Sequence, residues 1–136
     1  MKKKNHNKGF SLVELIVVVL IMGIIAMSLA PQVMKWVDSA KKSTDARVAD
    51  NLKSVGQMAV VEYESTGGTL VDAEYLVTST GVSPVALTDP NSGMVALLKE
   101  YMDMDFPKVQ NEGGKIFQIK IEDTGVVTVS TVSGTY

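Results

Sequence analysis

A chain of 136 residues with a formal net charge of −2 has the size of one domain and too little positive charge for a dedicated nucleic-acid surface. It contains no cysteine, which excludes disulfide staples, thiolate metal sites and cysteine nucleophiles. The single histidine, His6, stands close to the start, so no histidine-based catalysis is expected of the remainder.

The first stretch is basic. Lys2, Lys3, Lys4 and Lys8 precede Gly9, and beyond Gly9 nine basic residues meet fifteen acids, a net of −6. An apolar run begins at Phe10 and is interrupted only by Glu14. Leu15 to Met34 then carries no charge at all. As a helix that run spans about 30 Å, the thickness of a bilayer core. The lysines predict a cytoplasmic N-terminus, with the C-terminal part outside. An ordinary secretory signal is cut after its apolar region. Here the small residue, Gly9, lies before it, so a cut at Gly9 would leave the apolar segment on the mature chain. Gly9 has no side chain to keep a protease from the backbone.

Glu14 needs an explanation. An acid at a membrane-helix centre costs roughly 2.5–3.5 kcal/mol, less near the surface. A carboxylate that merely snorkels to the headgroups is the plain account. The sharper one is a counter-ion: a cut after Gly9 would create a positive amine on Phe10, four residues away and on the same helical face. The pair could close within one subunit, or between the Glu14 of one and the Phe10 of its neighbour. Further along, Gly23 weakens a helix by about 1 kcal/mol relative to alanine. Pro31 removes a backbone donor and crowds the preceding turn. Gly23 to Pro31 is therefore the weak part of the rod, which bends as a tolerated kink or melts on packing.

These residues resemble the class III signal of type IV pilins and type II secretion pseudopilins. Gly9, Phe10, Ser11, Leu12, Val13, Glu14 and Leu15 stand in the family's order after a basic leader, with Gly23 and Pro31 where many members carry glycine and proline. The resemblance covers about Met1 to Met34, with weaker support to Glu64, and the head lacks the paired C-terminal cysteines common in Gram-negative pilins. It implies cleavage between Gly9 and Phe10 by a prepilin peptidase that also methylates the Phe10 amine. It further implies assembly as a homo-oligomer in a helical filament, driven by an assembly ATPase and a platform protein, with Phe10 and Glu14 as the assembly pair. The subunit would wait in the cytoplasmic membrane as a single span and end in a cell-surface pilus serving adhesion, motility or DNA uptake. A pseudopilin of a secretion or competence system is the alternative within the family. An uncleaved, membrane-anchored binding domain is the alternative outside it.

From Gln32 to Glu64 there is no proline, and Val48, Leu52, Val55 and Ala59 recur at helical spacing, with Val61 and Glu62 continuing the pattern. The intervening Asp38–Arg47 is polar all round, and Gly67-Gly68 supplies a stop. Lys115 to Glu122 alternates, with Phe117, Ile119 and Ile121 on one face. Asp123-Thr124-Gly125 is a turn signal and Val126–Val132 a second strand, so a C-terminal hairpin is expected. Val95 to Met104 reads as a short helix opened near Ser92, whereas Thr69–Thr78 fits a strand or a loop equally. The expected fold is α+β: a long N-terminal helix packed on a small antiparallel sheet. Its parts are a leader (1–9), an apolar helix (10–34), an amphipathic half (35–64) and a head (65–136). The head is too small to hold a core without the helix stripe.

Other candidates carry little. Asp89, Asp103 and Asp105 have calcium-compatible oxygens without the spacing of a calcium loop, so a solvated acidic patch is the better account. Lys41, Lys42, Arg47 and Lys53 alternate with Asp38, Asp45 and Asp50, the mark of solvated helix charge rather than a specific nucleic-acid site. Trp36 follows the apolar run as an interfacial aromatic or a subunit contact would. No enzymatic motif is present, and no cofactor or metal is expected.

Overall fold

A computed structural model of the chain describes residues 9–78, 80–102, 107–110 and 113–134. His6, the leader lysines, Asp103, Met104 and Asp105 lie outside the described residues. The chain divides into two compact units, Met1–Ser39 and Ala40–Tyr136.

One element runs through both. Helix α1 spans Leu12–Ser65, 54 residues with Pro31 inside it. Its first bond runs from the Leu15 N–H to the Ser11 carbonyl at 3.2 Å. It stops where the glycine pair predicts. Gly67 takes the left-handed conformation at φ 85°. The Gly67 N–H then reaches the Glu64 carbonyl and the Gly68 N–H the Tyr63 carbonyl, both at 3.0 Å. That double bond pattern is a Schellman stop, which satisfies carbonyls the helix end leaves open. Any side chain at Gly68 would run into the Tyr63 ring.

In the second unit a four-stranded antiparallel sheet has the order β2-β1-β3-β4. Its strands are β1 (Ala73–Thr78), β2 (Gly81–Pro84), β3 (Lys115–Ile121) and β4 (Val127–Ser133). The expected hairpin is β3–β4, with Ile121 opposite Val127 and Lys115 opposite Ser133. Its turn closes through Gly125 at φ 78°, a conformation that favours glycine. The undecided Thr69–Thr78 stretch resolves into β1 at the centre of the sheet, where Tyr75 lies opposite Ile119. Its partner β2 is only four residues long.

The inner face of the sheet carries Tyr75, Val77, Phe117, Ile119, Ile121 and Val127, all essentially buried. The second half of α1 covers it with Leu52, Gly56, Ala59 and Val60. Val48, Val55 and Tyr63 pack at the margin. One expectation needs correcting: the stripe does not continue to Val61, which is 66% exposed. From Ala59 the buried line steps to Val60 and Tyr63 instead, because Gly56 belongs to it and shifts the face round the helix. Gly56 allows a close approach. A methyl added there would sit 2.7 Å from Val127 Cγ1 and 3.5 Å from Ile119 Cγ2.

Helix α2 (Met94–Tyr101) closes the core with Met94 and Leu98. Ser92 does not cap it. Gly93 holds the cap position in the left-handed conformation without a side-chain bond. The cap comes instead from Asp89, whose Oδ2 accepts the Val95 N–H at 3.2 Å. Its Oδ1 accepts the Tyr75 hydroxyl at 2.9 Å. Asn91, fully buried, acts as a substitute strand residue. Its Oδ1 accepts the Val71 N–H at 2.9 Å and its amide donates to the Val71 carbonyl at 3.1 Å. The same amide also donates to the Tyr75 hydroxyl at 3.3 Å. This network holds the 85–93 loop against the sheet, and it satisfies polar groups that would otherwise be costly to bury.

Two outcomes follow for stability. Gly56→Ala should lower it by about 1–3 kcal/mol through overpacking against Val127, although alanine is the better helix former by about 1 kcal/mol. In the same denaturant series Leu52→Asp should cost more than about 3 kcal/mol, and Lys53→Asp no more than about 0.5 kcal/mol. Equal melting temperatures for the Leu52 and Lys53 variants would refute the placement of this face. The second outcome concerns pH. Burial, opposed by the Asn91 bond and reinforced by Asp89, pushes the Tyr75 hydroxyl above its ordinary value of 10.0. The unfolded chain therefore releases that proton first. The contribution is complete below about pH 10 and is lost as pH rises past it. The alkaline limb of the stability profile should be shallower for Tyr75→Phe than for the wild type, and parallel limbs would contradict this.

Candidate functional site

Gly9, Phe10, Glu14, Gly23 and Pro31, the processing, assembly and flexibility residues expected from the sequence, all fall in the first unit, and the structure gives them one common property. Every residue from Gly9 to Ser39 is exposed. Phe10 is 82% and Met27 82% exposed, and the apolar surface continues through Val33, Met34, Trp36 and Val37. A helix that is apolar all round needs lipid or other helices about it. By length and composition α1 is the one helix among the described residues able to cross a membrane.

Gly9 and Phe10 precede the helix, outside any regular element. Nothing lies within 4 Å of where a Gly9 side chain would begin. The junction is therefore sterically open on the described side. Glu14 sits in the first helical turn. There the unbonded N–H groups and the helix dipole favour a negative charge. Ser11 and Glu14 occupy the N-cap and third helical positions, the spacing of a capping box. That signal was present in the sequence and was not part of the expectation above.

Gly23 likewise has open space around it. Helix geometry continues through both Gly23 and Pro31. Proline has no N–H, so the carbonyl of Met27 loses its usual donor there. Asp38–Arg47, polar all round, also stays helical.

In the second unit, Asp89 is turned away from metal binding by its two hydrogen bonds to Tyr75 and Val95. Among the described residues no group of three or more His, Cys, Asp or Glu side chains is placed to hold a metal ion. Lys41, Lys42, Arg47 and Lys53 are exposed along the helix. Asp45, one of their interspersed acids, accepts the Gln110 N–H at 2.7 Å. A shallow apolar groove, unanticipated by the sequence, runs between Met58, Val61 and Tyr101. The Tyr101 hydroxyl donates to Glu62 across it, and that carboxylate raises the hydroxyl's pKa.

Two comparisons bear on the N-terminal segment. The prokaryotic N-terminal methylation motif matches residues 4–30. Those residues include Gly9, Phe10, Glu14 and Gly23 and stop one short of Pro31. The chain is also similar to prepilin peptidase-dependent protein A of Clostridium perfringens (strain 13 / Type A). The two are 29% identical over 130 residues, which covers 96% of this chain and 89% of that protein. No solved structure matches the chain.

Proposed function

We propose that this chain, a pilin- or pseudopilin-type protein by its N-terminal motif, is a structural subunit of a type IV pilus filament. The observation that carries the reading is the first half of α1. It is apolar on every side, exposed throughout, and marked by a single acid four residues from Phe10.

The leader lysines hold the start of the chain at the cytoplasmic face of the membrane. A prepilin peptidase hydrolyses the Gly9–Phe10 bond, leaving a carboxylate on Gly9 and a new amine on Phe10. Its methyltransferase activity adds a methyl group to that amine, which stays basic and positively charged. The name of the Clostridium relative, prepilin peptidase-dependent, agrees with this processing. Cleavage also removes four lysine charges from the end that enters the fibre.

In the mature subunit the apolar helix (10–34) spans the membrane and later packs in the filament core. The amphipathic half (35–64) and the head (65–136) form the outer part. Inside an apolar core an unpaired Glu14 is penalised, and its attraction to a cation is strengthened. The Phe10 amine of a neighbouring copy answers both effects and sets the stagger between subunits. An assembly ATPase and a platform protein draw the subunit from the membrane, and the filament emerges at the cell surface for adhesion, motility or DNA uptake. Gly23 and Pro31 bracket the part of the helix that yields on packing. The protein acts through assembly, not catalysis.

Three measurements test this. The native protein should begin at Phe10 and be heavier by about one methyl group. An intact Met1 would favour an uncleaved membrane anchor. Glu14→Ala should leave the subunit in the membrane while the fibres recovered by shearing disappear. Normal fibres in that strain would overturn the counter-ion role, and absence of long fibres from the wild type would point to a pseudopilin. In a filament map, continuous helical density from Ile24 to Ala30 would remove melting at Gly23–Pro31.

A further inference from the structure

The strip of α1 just past the apolar run has a chemistry of its own. Lys35 and Trp36 follow Met34 at once, and Lys41 and Lys42 come next in the same helix. Trp36 is the only tryptophan of the chain and is 64% exposed. The three lysines are exposed too. Among the described residues none of them pairs with an acid. Asp45, the next acid along, serves the head, where it accepts the Gln110 N–H at 2.7 Å. Within Lys35–Lys42 three lysines face one acid, Asp38, a net of +2.

Helix rise fixes the height of each group. The uncharged run Leu15–Met34 fills a bilayer core of about 30 Å, and the headgroup layer adds about 5–7 Å beyond it. Lys35 stands at the boundary. Trp36 falls inside the layer, the level at which an amphipathic ring is favoured. Lys41 and Lys42 begin about 10–12 Å past Met34. Their flexible stems reach back while the ammonium groups stay hydrated. Arg47 and Lys53 begin about 20 Å or more past Met34 and are out of reach.

We propose that this strip is a lipid-binding collar in which Trp36 lies at headgroup level and Lys35, Lys41 and Lys42 hold the phosphates of anionic phospholipids. The inference rests on α1 spanning a membrane, and not on which kind of filament follows. That span selects the occupant: a helix seated by Leu15–Met34 has lipid headgroups around it at this height. The lysines point to different sides of the helix, and lipid surrounds all of them, so no pocket is needed. Their positive charge favours anionic headgroups over zwitterionic ones. The collar limits how far the helix sinks. It thereby sets the height of Phe10 and Glu14 at the other end of the run. Its contacts are given up when the chain leaves the bilayer, so anionic lipid favours the membrane-held subunit over the assembled one.

The test uses the full-length chain reconstituted into vesicles of phosphatidylcholine and phosphatidylglycerol in equal amounts. Trp36, as the only tryptophan, is its own fluorescent reporter. Bromine on the acyl chains of one lipid or the other quenches it by contact. Brominated phosphatidylglycerol should quench more than brominated phosphatidylcholine, corresponding to at least about a twofold local enrichment of the anionic lipid. Bromines near the headgroup should quench more than bromines at the chain ends. Replacing Lys35, Lys41 and Lys42 together by glutamine should bring the two lipids to equality, and Lys53→Gln should leave the preference intact. The proposal is overturned by equal quenching in the wild type, by a preference that survives the triple variant or is lost equally in Lys53→Gln, or by stronger quenching from the chain ends. Absence of quenching by every brominated lipid would overturn the membrane-spanning reading along with it, whereas the other outcomes leave that reading standing.

Discussion

The contact between Gly56 and Val127 is the constraint on which the second unit depends. Only a residue without a Cβ lets α1 settle onto the sheet at that point, and the line of burial follows from it. Leu52, Ala59 and Val60 share one buried cluster with Ile119, Ile121 and Val127, and at Gly56 the helix comes close to Val127 and Ile119. Once α1 is set down on β3 and β4, the remaining face of the core falls to α2, whose Met94 and Leu98 complete it. The sheet without the helix would expose a row of large apolar side chains, and the helix without the sheet would expose its stripe. Neither part has a core alone.

Some of this was legible in the residue order because it is periodic. Phe117, Ile119 and Ile121 alternate cleanly, and Gly125 lies where a tight turn needs it, so the hairpin could be read directly. The glycine pair after Ser65 predicted the helix stop for the same local reason. What escaped reading was non-local. Central strand β1 is Ala-Glu-Tyr-Leu-Val-Thr, whose alternation is blurred by Leu76 on the outer face. Strand β2 is too short to show a period. The cap of α2 comes from Asp89, outside the helix, and Asn91 replaces a strand partner for Val71. Neither role has a sequence signature, since each depends on where the chain returns. Val61 was misplaced because glycine counts as a gap in a hydrophobic pattern. Gly56 is in fact the centre of the buried face, and restoring it rotates the stripe onto Val60 and Tyr63.

The N-terminal segment differs because its information is one-dimensional. A basic leader, a glycine, an acid at fixed distance and a long apolar run need no tertiary context to be recognised, and the methylation motif covers that same stretch. The structure adds what spacing alone could not supply: Phe10 lies just outside the helix, Ser11 starts it, and Glu14 falls in the turn where the free N–H groups are. An acid at that position is partly stabilised by its own helix. On the function proposed above, that stabilisation would lower the cost of holding Glu14 in the membrane before a cationic partner arrives. It is too small, at about 0.3–1 kcal/mol, to offset burial in an apolar core. In the filament proposed above, the residue would be tolerable in a waiting subunit and unsatisfied in an assembling one, unless the Phe10 amine met it.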